Sequence, residues 1–301
     1  MLTFDLTDCR PDLSLLSARK LLPSTRLSPV LLLLLLVTLY SKIAIGNDIS
    51  TKQAIQFSTV DTGQHPIHYA YSGDPSKPGL LFIHGTPGAW SAFRGYLANP
   101  QLQKDFYMVS VDRLGWGKSQ LPSQKIKSDF ASQSAAIGDV LALHPNKTWT
   151  LIGHSLGASI APQIALDNPD QVGGLLLLAG SLKPSLGKPR WYNYAASTWL
   201  VSSLLSPEMK NSNREIMALK RQLAAMDLAI KDVKLATHVI VMQGKNDRLV
   251  SPKNPNYVVK EWAENFASIR LDELEDEGHF LPWRQANRII ERIYELSELL
   301  D

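Results

Sequence analysis

Thr148-Trp149-Thr150-Leu151-Ile152-Gly153-His154-Ser155-Leu156-Gly157-Ala158-Ser159-Ile160-Ala161 is the stretch whose reading decides the fold. Its first five residues are β-branched, aromatic or aliphatic, a short continuous run suited to a strand buried on both faces. The small and aliphatic residues that follow Ser155 read as the opening of a helix over 155–166. Gly153-x-Ser155-x-Gly157 sits at the junction, where a sharp turn needs small residues on both sides so that strand and helix can approach. The serine hydroxyl then stands at the carboxyl end of a strand and at the start of a helix, where the helix dipole favours developing negative charge. A serine so placed is a candidate nucleophile.

Similar short apolar runs occur at 79–83, 107–111, 174–179 and 238–242, and two more strands, 55–59 and 67–71, flank the turn-rich Asp61-Thr62-Gly63-Gln64. Helical stretches separate them at 128–143, 155–166 and 254–265. The last stretch, 283–299, repeats its apolar residues at helical spacing through Ile289, Ile290, Ile293, Tyr294 and Leu296. Strands alternating with helices predict an α/β fold with a mainly parallel sheet. Between about 181 and 235 the alternation breaks, and only helical patterns appear, at 191–205 and 213–230. A strand-to-strand crossover needs only a dozen or more residues, so this segment is expected to form a small helical lid.

A serine hydroxyl needs a base, and the base needs an orienting carboxylate. On a turn of this kind the acid and then the histidine follow the serine in chain order. Of seven histidines, His279 in Glu277-Gly278-His279-Phe280 is the one in a late glycine-hinged loop. Asp247 follows the strand 238–242 and fits as the carboxylate, because its loop leaves the same edge of the sheet as Ser155. Asp272, Glu273, Glu275, Asp276 and Glu277 are alternatives by type and read instead as a solvated acidic face. Oxyanion donors are expected from the backbone N–H of Leu156 and of Thr86, in the loop His84-Gly85-Thr86-Pro87-Gly88, where Pro87 has no N–H to give. Trp90, Trp191 and Phe280 are aromatic candidates for an apolar substrate pocket, and plain core packing is an equal reading of each.

Together these residues resemble the α/β-hydrolase superfamily from about residue 55 to 299. The resemblance rests on His84-Gly85, Ser155, Gly244-x-x-Asp247 and Gly278-His279-Phe280, with Asp112-Arg113-Leu114-Gly115-Trp116-Gly117-Lys118-Ser119 matching a turn that is structural in the family. It implies the α/β-hydrolase fold, a Ser155-His279-Asp247 triad, no metal or organic cofactor, and hydrolysis of a carboxylic ester in a small molecule with an apolar acyl or alkyl group. Amide or carbon–carbon bond hydrolysis by the same triad, and a non-catalytic receptor retaining the pocket, are the alternatives. Epoxide hydrolases and haloalkane dehalogenases of the superfamily share a His-Gly-x-Pro loop but use an aspartate nucleophile, where this chain has Ser155. Proline iminopeptidases have a second glycine where Thr86 stands, and lipases with a longer glycine-rich loop fit less well.

Composition agrees with a folded domain: 45% hydrophobic, 20% charged, net charge +3. A surplus this mild, without a long basic block, does not point to nucleic acid. The single cysteine, Cys9, rules out an intramolecular disulfide. Ahead of the domain (47–301) lie an extension, 1–28, expected to be disordered, and an apolar segment, 29–46, containing Leu31 to Leu36. Arg19, Lys20 and Arg26 precede that segment and Asp48 follows it, a pattern that keeps the N-terminus in the cytoplasm and exports the rest. The segment serves either as a signal sequence cleaved near Gly46-Asn47 or as a membrane anchor. Intact-mass measurement of the exported protein distinguishes them: a cleaved signal removes residues 1–46, whereas an anchor leaves the full mass.

Overall fold

The computed structural model describes residues 55–61, 65–120 and 129–300. The extension 1–28, the apolar segment 29–46 and the tip of the first turn, 62–64, lie outside the described residues. Among the described residues, no helix is long and apolar enough to cross a membrane.

Among the described residues, eight strands form one sheet: β1 (Gln56–Asp61), β2 (Pro66–Gly73), β3 (Gly79–Ile83), β4 (Tyr107–Val111), β5 (Trp149–His154), β6 (Val172–Leu178), β7 (Leu235–Gly244) and β8 (Phe266–Leu274). Their order across the sheet is β1-β2-β4-β3-β5-β6-β7-β8. β2 runs antiparallel to β1 and β4, and the other pairings are parallel. The four strands β3 to β6 are almost wholly buried, as expected of continuous apolar runs covered by helices on both faces. The chain passes from β3 to β4 on one side and returns to β5 on the other side of β3. That reversal opens a crevice at the carboxyl ends of β3 and β5, the place where open α/β sheets hold their sites.

The main helices are α1 (Pro100–Asp105), α2 (Phe130–Leu141), α3 (Leu156–Asp167), α4 (Trp191–Ala196), α5 (Trp199–Leu204), α6 (Pro207–Lys231), α7 (Asn254–Glu261) and α8 (Ala286–Glu298). Helices α2 and α3 pack on one face with Trp149 and Leu151, and α8 packs on the other through Ile289, Ile293 and Leu296. The Asp129 side chain caps α2 by accepting from the Ser132 N–H at 2.8 Å.

The expected helical insertion between β6 and β7 is present, but its pattern differs in two places. The stretch 191–205 is two helices rather than one. The Ser197 hydroxyl donates to the Asn193 carbonyl at 2.9 Å and the Thr198 hydroxyl to the Ala195 carbonyl at 2.7 Å, which ends α4. Helix α6 begins at Pro207, six residues ahead of the periodic run, because Ser206 caps it and proline is suited to its first turn.

The region after β7 also departs from expectation. Helix α7 stops at Glu261, and β8 follows as an edge strand whose mixed, charged sequence, Phe266-Ala267-Ser268-Ile269-Arg270-Leu271-Asp272-Glu273-Leu274, hides its period. Its Asp272 belongs to no solvated acidic face. It is buried and takes bidentate hydrogen bonds from Arg288 and another from Arg292, both on α8. Burial would raise the Asp272 pKa, but the two guanidinium groups win and hold it below the usual carboxylate range.

Two acids anchor α6 to the rest of the domain. Asp227 accepts from the Tyr257 hydroxyl at 2.7 Å and from the indole N–H of buried Trp262 at 2.8 Å. Glu215, one-third of the way along the helix, pairs with Arg113 in the loop after β4; both side chains are almost fully buried. Removing one partner of a buried pair leaves an uncompensated charge, typically worth about 3–5 kcal/mol. Glu215→Ala is therefore expected to lower the unfolding free energy by about 3–5 kcal/mol in urea titrations, whereas Glu208→Ala, at an exposed site on the same helix, should stay within about 0.5 kcal/mol.

Candidate active site

Ser155 has φ 54° and ψ −116°, the strained conformation of a residue forced through a sharp strand-to-helix turn. Close packing enforces it. A Cβ on Gly157 would collide with the backbone of Ile83 and His84, and a Cβ on Gly153 would lie 2.6 Å from the Gly157 carbonyl. The β3–β5 register pairs Ile83 with Gly153, so the loop after β3 passes directly beside the serine. A Cβ on Gly85 would be 3.0 Å from that of Ser155. The His84-Gly85-Thr86 loop and the Leu156 N–H at the start of α3 thus converge on one side chain. The Thr86 hydroxyl is buried without a partner among the described residues.

His279 and Asp247 meet as expected. The His279 Nδ1 lies 2.8 Å from Asp247 Oδ2, both residues being buried. The carboxylate is fully coordinated: Oδ1 accepts from the Leu249 and Val250 N–H groups, and Oδ2 also accepts from Gln243 Nε2 at 3.0 Å. Burial would raise its pKa, but the hydrogen bond and charge of His279, with the two backbone donors, hold it below the ordinary aspartate value. An ionised Asp247 fixes the proton on His279 Nδ1 and leaves the Nε2 lone pair free to accept one.

Sequence reading did not find the groups that set this dyad in place. His154, adjacent to Ser155, donates from Nε2 to the His279 carbonyl at 2.9 Å, and the two rings are 4.9 Å apart. His279 is thereby held against the serine turn. Trp283 packs edge-on to His154 at 5.3 Å. Burial, with a smaller effect of His279, lowers the His154 pKa to about 3, so it stays neutral. Gln243 steadies Asp247 from the end of β7. Neither residue has a local sequence signal, since each acts through a partner more than three residues away in the chain.

The loop after β3 has its own support. His84 is neutral, its pKa pushed down by burial and by Arg113. Its Nδ1 donates to the Gly85 carbonyl at 2.7 Å and its Nε2 accepts from the Arg113 N–H at 3.0 Å. The Arg113 guanidinium donates to the carbonyls of His84 and Gly85, each at 2.9 Å, and to Glu215. Asp112 accepts from the Trp90 and Lys118 N–H groups and from His68, which accounts for the Asp112–Ser119 turn as a structural device.

The three aromatic candidates separate. Phe280 stands 5.7 Å from His279, edge to face. Trp90 instead packs edge-on to Phe57 and under Arg94. Trp191 is exposed on α4 and contacts Tyr192, so its side chain is not a core residue.

Residues 78–199 match a protein family described as alpha/beta hydrolase fold, and these residues carry the β3 loop and the serine turn. Over these residues the chain is similar to the α/β-hydrolase superfamily. Its relatives include epoxide hydrolase 4 of Mus musculus, 30% identical over 112 residues, which cover 37% of this chain and 31% of that protein. The match thus spans about a third of the length of that relative. Among solved structures, epoxide hydrolase VrEH1 of Vigna radiata superposes with a TM-score of 0.64 at 15% identity, covering 83% of this hydrolase-fold chain and 99% of the other. The 2-hydroxy-6-oxo-6-phenylhexa-2,4-dienoate hydrolase of Rhodococcus sp. strain RHA1 gives 0.61 at 16% identity, covering 81% and 99%. At such identities the structural likeness establishes the fold.

Because His154 and His84 are neutral in the fold and would titrate at ordinary values when unfolded, the unfolded chain binds more protons at mildly acidic pH. Their contribution is complete above about pH 6.5 and declines as pH falls toward the folded-state value, about 3 for His154. His154 is expected to remove about 1.4 kcal/mol of stability per pH unit in that window, and His84 acts in the same direction. His154→Asn keeps an N–H donor without the titration, so its melting temperature is expected to fall less steeply between pH 6.5 and 4.5 than that of the wild type.

Proposed function

We propose that this protein is a serine hydrolase that cleaves a carboxylic ester in a small molecule through an acyl-enzyme. The observation carrying this reading is the His279–Asp247 hydrogen bond, held against the Ser155 turn by His154. Ser155 Oγ attacks the ester carbonyl carbon while its proton passes to His279 Nε2. The oxygen that gains charge accepts from the backbone N–H of Leu156 and of Thr86, at the start of a helix whose dipole has the favourable sign. Collapse of the intermediate breaks the carbon–oxygen bond, and His279 returns the proton to the leaving alcohol. Water, deprotonated by the same nitrogen, then attacks the acyl-serine and releases the acid. Phe280, half-exposed beside His279, would face an apolar acyl or alkyl group.

The likeness to epoxide hydrolases raises a competing chemistry, and the nucleophile decides against it. A serine that opened an epoxide would form an alkyl ether, which has no carbonyl for water to attack. A carboxylate nucleophile forms an ester and turns over. Ser155 suits acyl transfer, where the covalent intermediate is itself an ester.

A fluorophosphonate probe is expected to label the protein, and Ser155→Ala to abolish labelling. On a panel of p-nitrophenyl esters of increasing chain length, Ser155→Ala and His279→Ala should each lower kcat by on the order of 10⁴-fold or more. Asp247→Asn should cost about 10⁴-fold, through loss of the correct histidine tautomer. A wild-type protein that neither labels nor hydrolyses any ester of the panel overturns the reading.

A further inference from the structure

The helical insertion carries a surface that the proposed chemistry does not use. Helices α4, α5 and α6, the last as far as Arg221, border an open cleft of about 540 Å³, lined by Ser197, Ser202, Lys210, Asn213, Arg214 and Arg221 among others. None of its three cations has an acidic partner among the described residues. Unpaired cations around a cavity favour an anion that the protein does not itself supply.

The helix that forms one wall of this cleft is apolar on its outer side. Ser202 of α5 lines the cleft, while Trp199 and Leu204 are each 82% exposed and Leu200 lies one helical turn before Leu204. On the neighbouring α4, Trp191 and Tyr194 are exposed as well. Bulky apolar side chains grouped in this way mark an interaction surface rather than scattered exposure.

Charge identifies what that surface fits. Residues 181–231 contain eight Lys or Arg against three Asp or Glu, a surplus larger than the +3 of the whole chain. Two of the three acids, Glu215 and Asp227, are turned inward to Arg113 and Lys231. No acidic residue occurs from 171 to 207. Tryptophan and leucine beside an unpaired basic cleft are the two features that bind an anionic bilayer, the first entering the acyl boundary and the second taking headgroup phosphates. We infer that the α4–α5 face of the insertion docks on an anionic phospholipid surface, with Trp199 and Leu204 inserted and Lys210, Arg214 and Arg221 on the headgroups.

Helix α6 is pinned to the domain through Glu215 and Asp227, whereas α4 is held to it by the Asn193–Asn213 amide pair, including a 2.9 Å bond. The docking face therefore projects from a fixed base, and its residues can be changed without touching Ser155, Asp247 or His279.

The test is sedimentation of the full chain with vesicles of 30% phosphatidylglycerol in phosphatidylcholine against pure phosphatidylcholine, together with hydrolysis of a soluble short ester. A second readout places an environment-sensitive fluorophore on Leu204→Cys in a Cys9→Ser background. Wild type is expected to partition at least tenfold more strongly to the anionic vesicles, with a blue shift of the probe and loss of the preference in 0.5 M salt. Arg214→Glu with Arg221→Glu should abolish the preference, and neutralising either arginine should weaken it about fivefold, the equivalent of about 1 kcal/mol per cation near such a surface. Trp199→Ser with Leu204→Ser should abolish the remaining binding at high salt while ester hydrolysis in solution stays unchanged. Partition unaffected by both double variants would place membrane contact elsewhere in the chain, the apolar run 29–46 included, and overturn the inference. So would an unshifted probe, or lipid-independent self-association lost in Trp199→Ser with Leu204→Ser, which would make the occupant a second copy of the chain. Because the readouts are partition and probe emission, they stand whether or not Ser155 is the nucleophile.

Discussion

The guanidinium of Arg113 has no access to solvent, and its donors go to two separate parts of the chain. Two backbone carbonyls of the loop after β3 and the carboxylate of Glu215 on α6 take them. A charge removed from water is costly unless every donor is met, so these segments cannot drift apart independently. The His84-Gly85-Thr86 loop is held by its carbonyls, which turns its backbone in a fixed sense beside Ser155. The helical insertion is held to the same cation, and with it the exposed face on α4 and α5. Site and insertion are in this way parts of one buried electrostatic cluster, to which Trp116 adds its indole N–H on Glu215 and its ring beside Arg113.

A second constraint is steric. Ser155 occupies a backbone conformation that L-residues rarely adopt, and it does so because α3 rises tightly against β3 and β5. The cost is of the order of 1–3 kcal/mol, and the large buried core under α3 keeps it in place. The same closeness puts the serine, the start of α3 and the loop after β3 within one small volume. Acyl transfer, the proposed reaction, depends on donors already aimed where charge will develop, and in that proposal the packing of strand against helix does the aiming.

The histidines of this domain illustrate how environment divides one residue type into different roles. His279 keeps its Nδ1 on the Asp247 carboxylate. His154 and His84 are buried and neutral, and each spends its ring on backbone groups. His68 sits on Asp112 at 2.9 Å, in the structural turn that also holds Trp90. Proximity to a carboxylate alone therefore does not distinguish His279 from His68; position at the carboxyl ends of β5, β7 and β8 does.

The first seven strands, the serine turn, and the pairing of Asp247 with His279 were legible in the sequence, because each depends on a local pattern: a buried apolar run, a glycine-flanked turn, or a polar residue in a loop that the chain order places at one edge of the sheet. β8 was not legible, because an edge strand that pairs its charges with α8 shows no alternation of polar and apolar residues. The burial of Asp272 was hidden for the same reason. The break between α4 and α5 was carried by two hydroxyls whose acceptors only the folded chain defines. His154, Arg113 and Glu215 escaped notice because a hydrogen bond across a hundred residues has no trace in spacing. The sequence by itself determined the serine turn and singled out Asp247 and His279 as its proposed partners, since those choices follow from residue chemistry and chain order. Only the tertiary structure decided what holds them still and which face of the insertion is left uncovered, since both depend on which buried charges find partners and which cations do not.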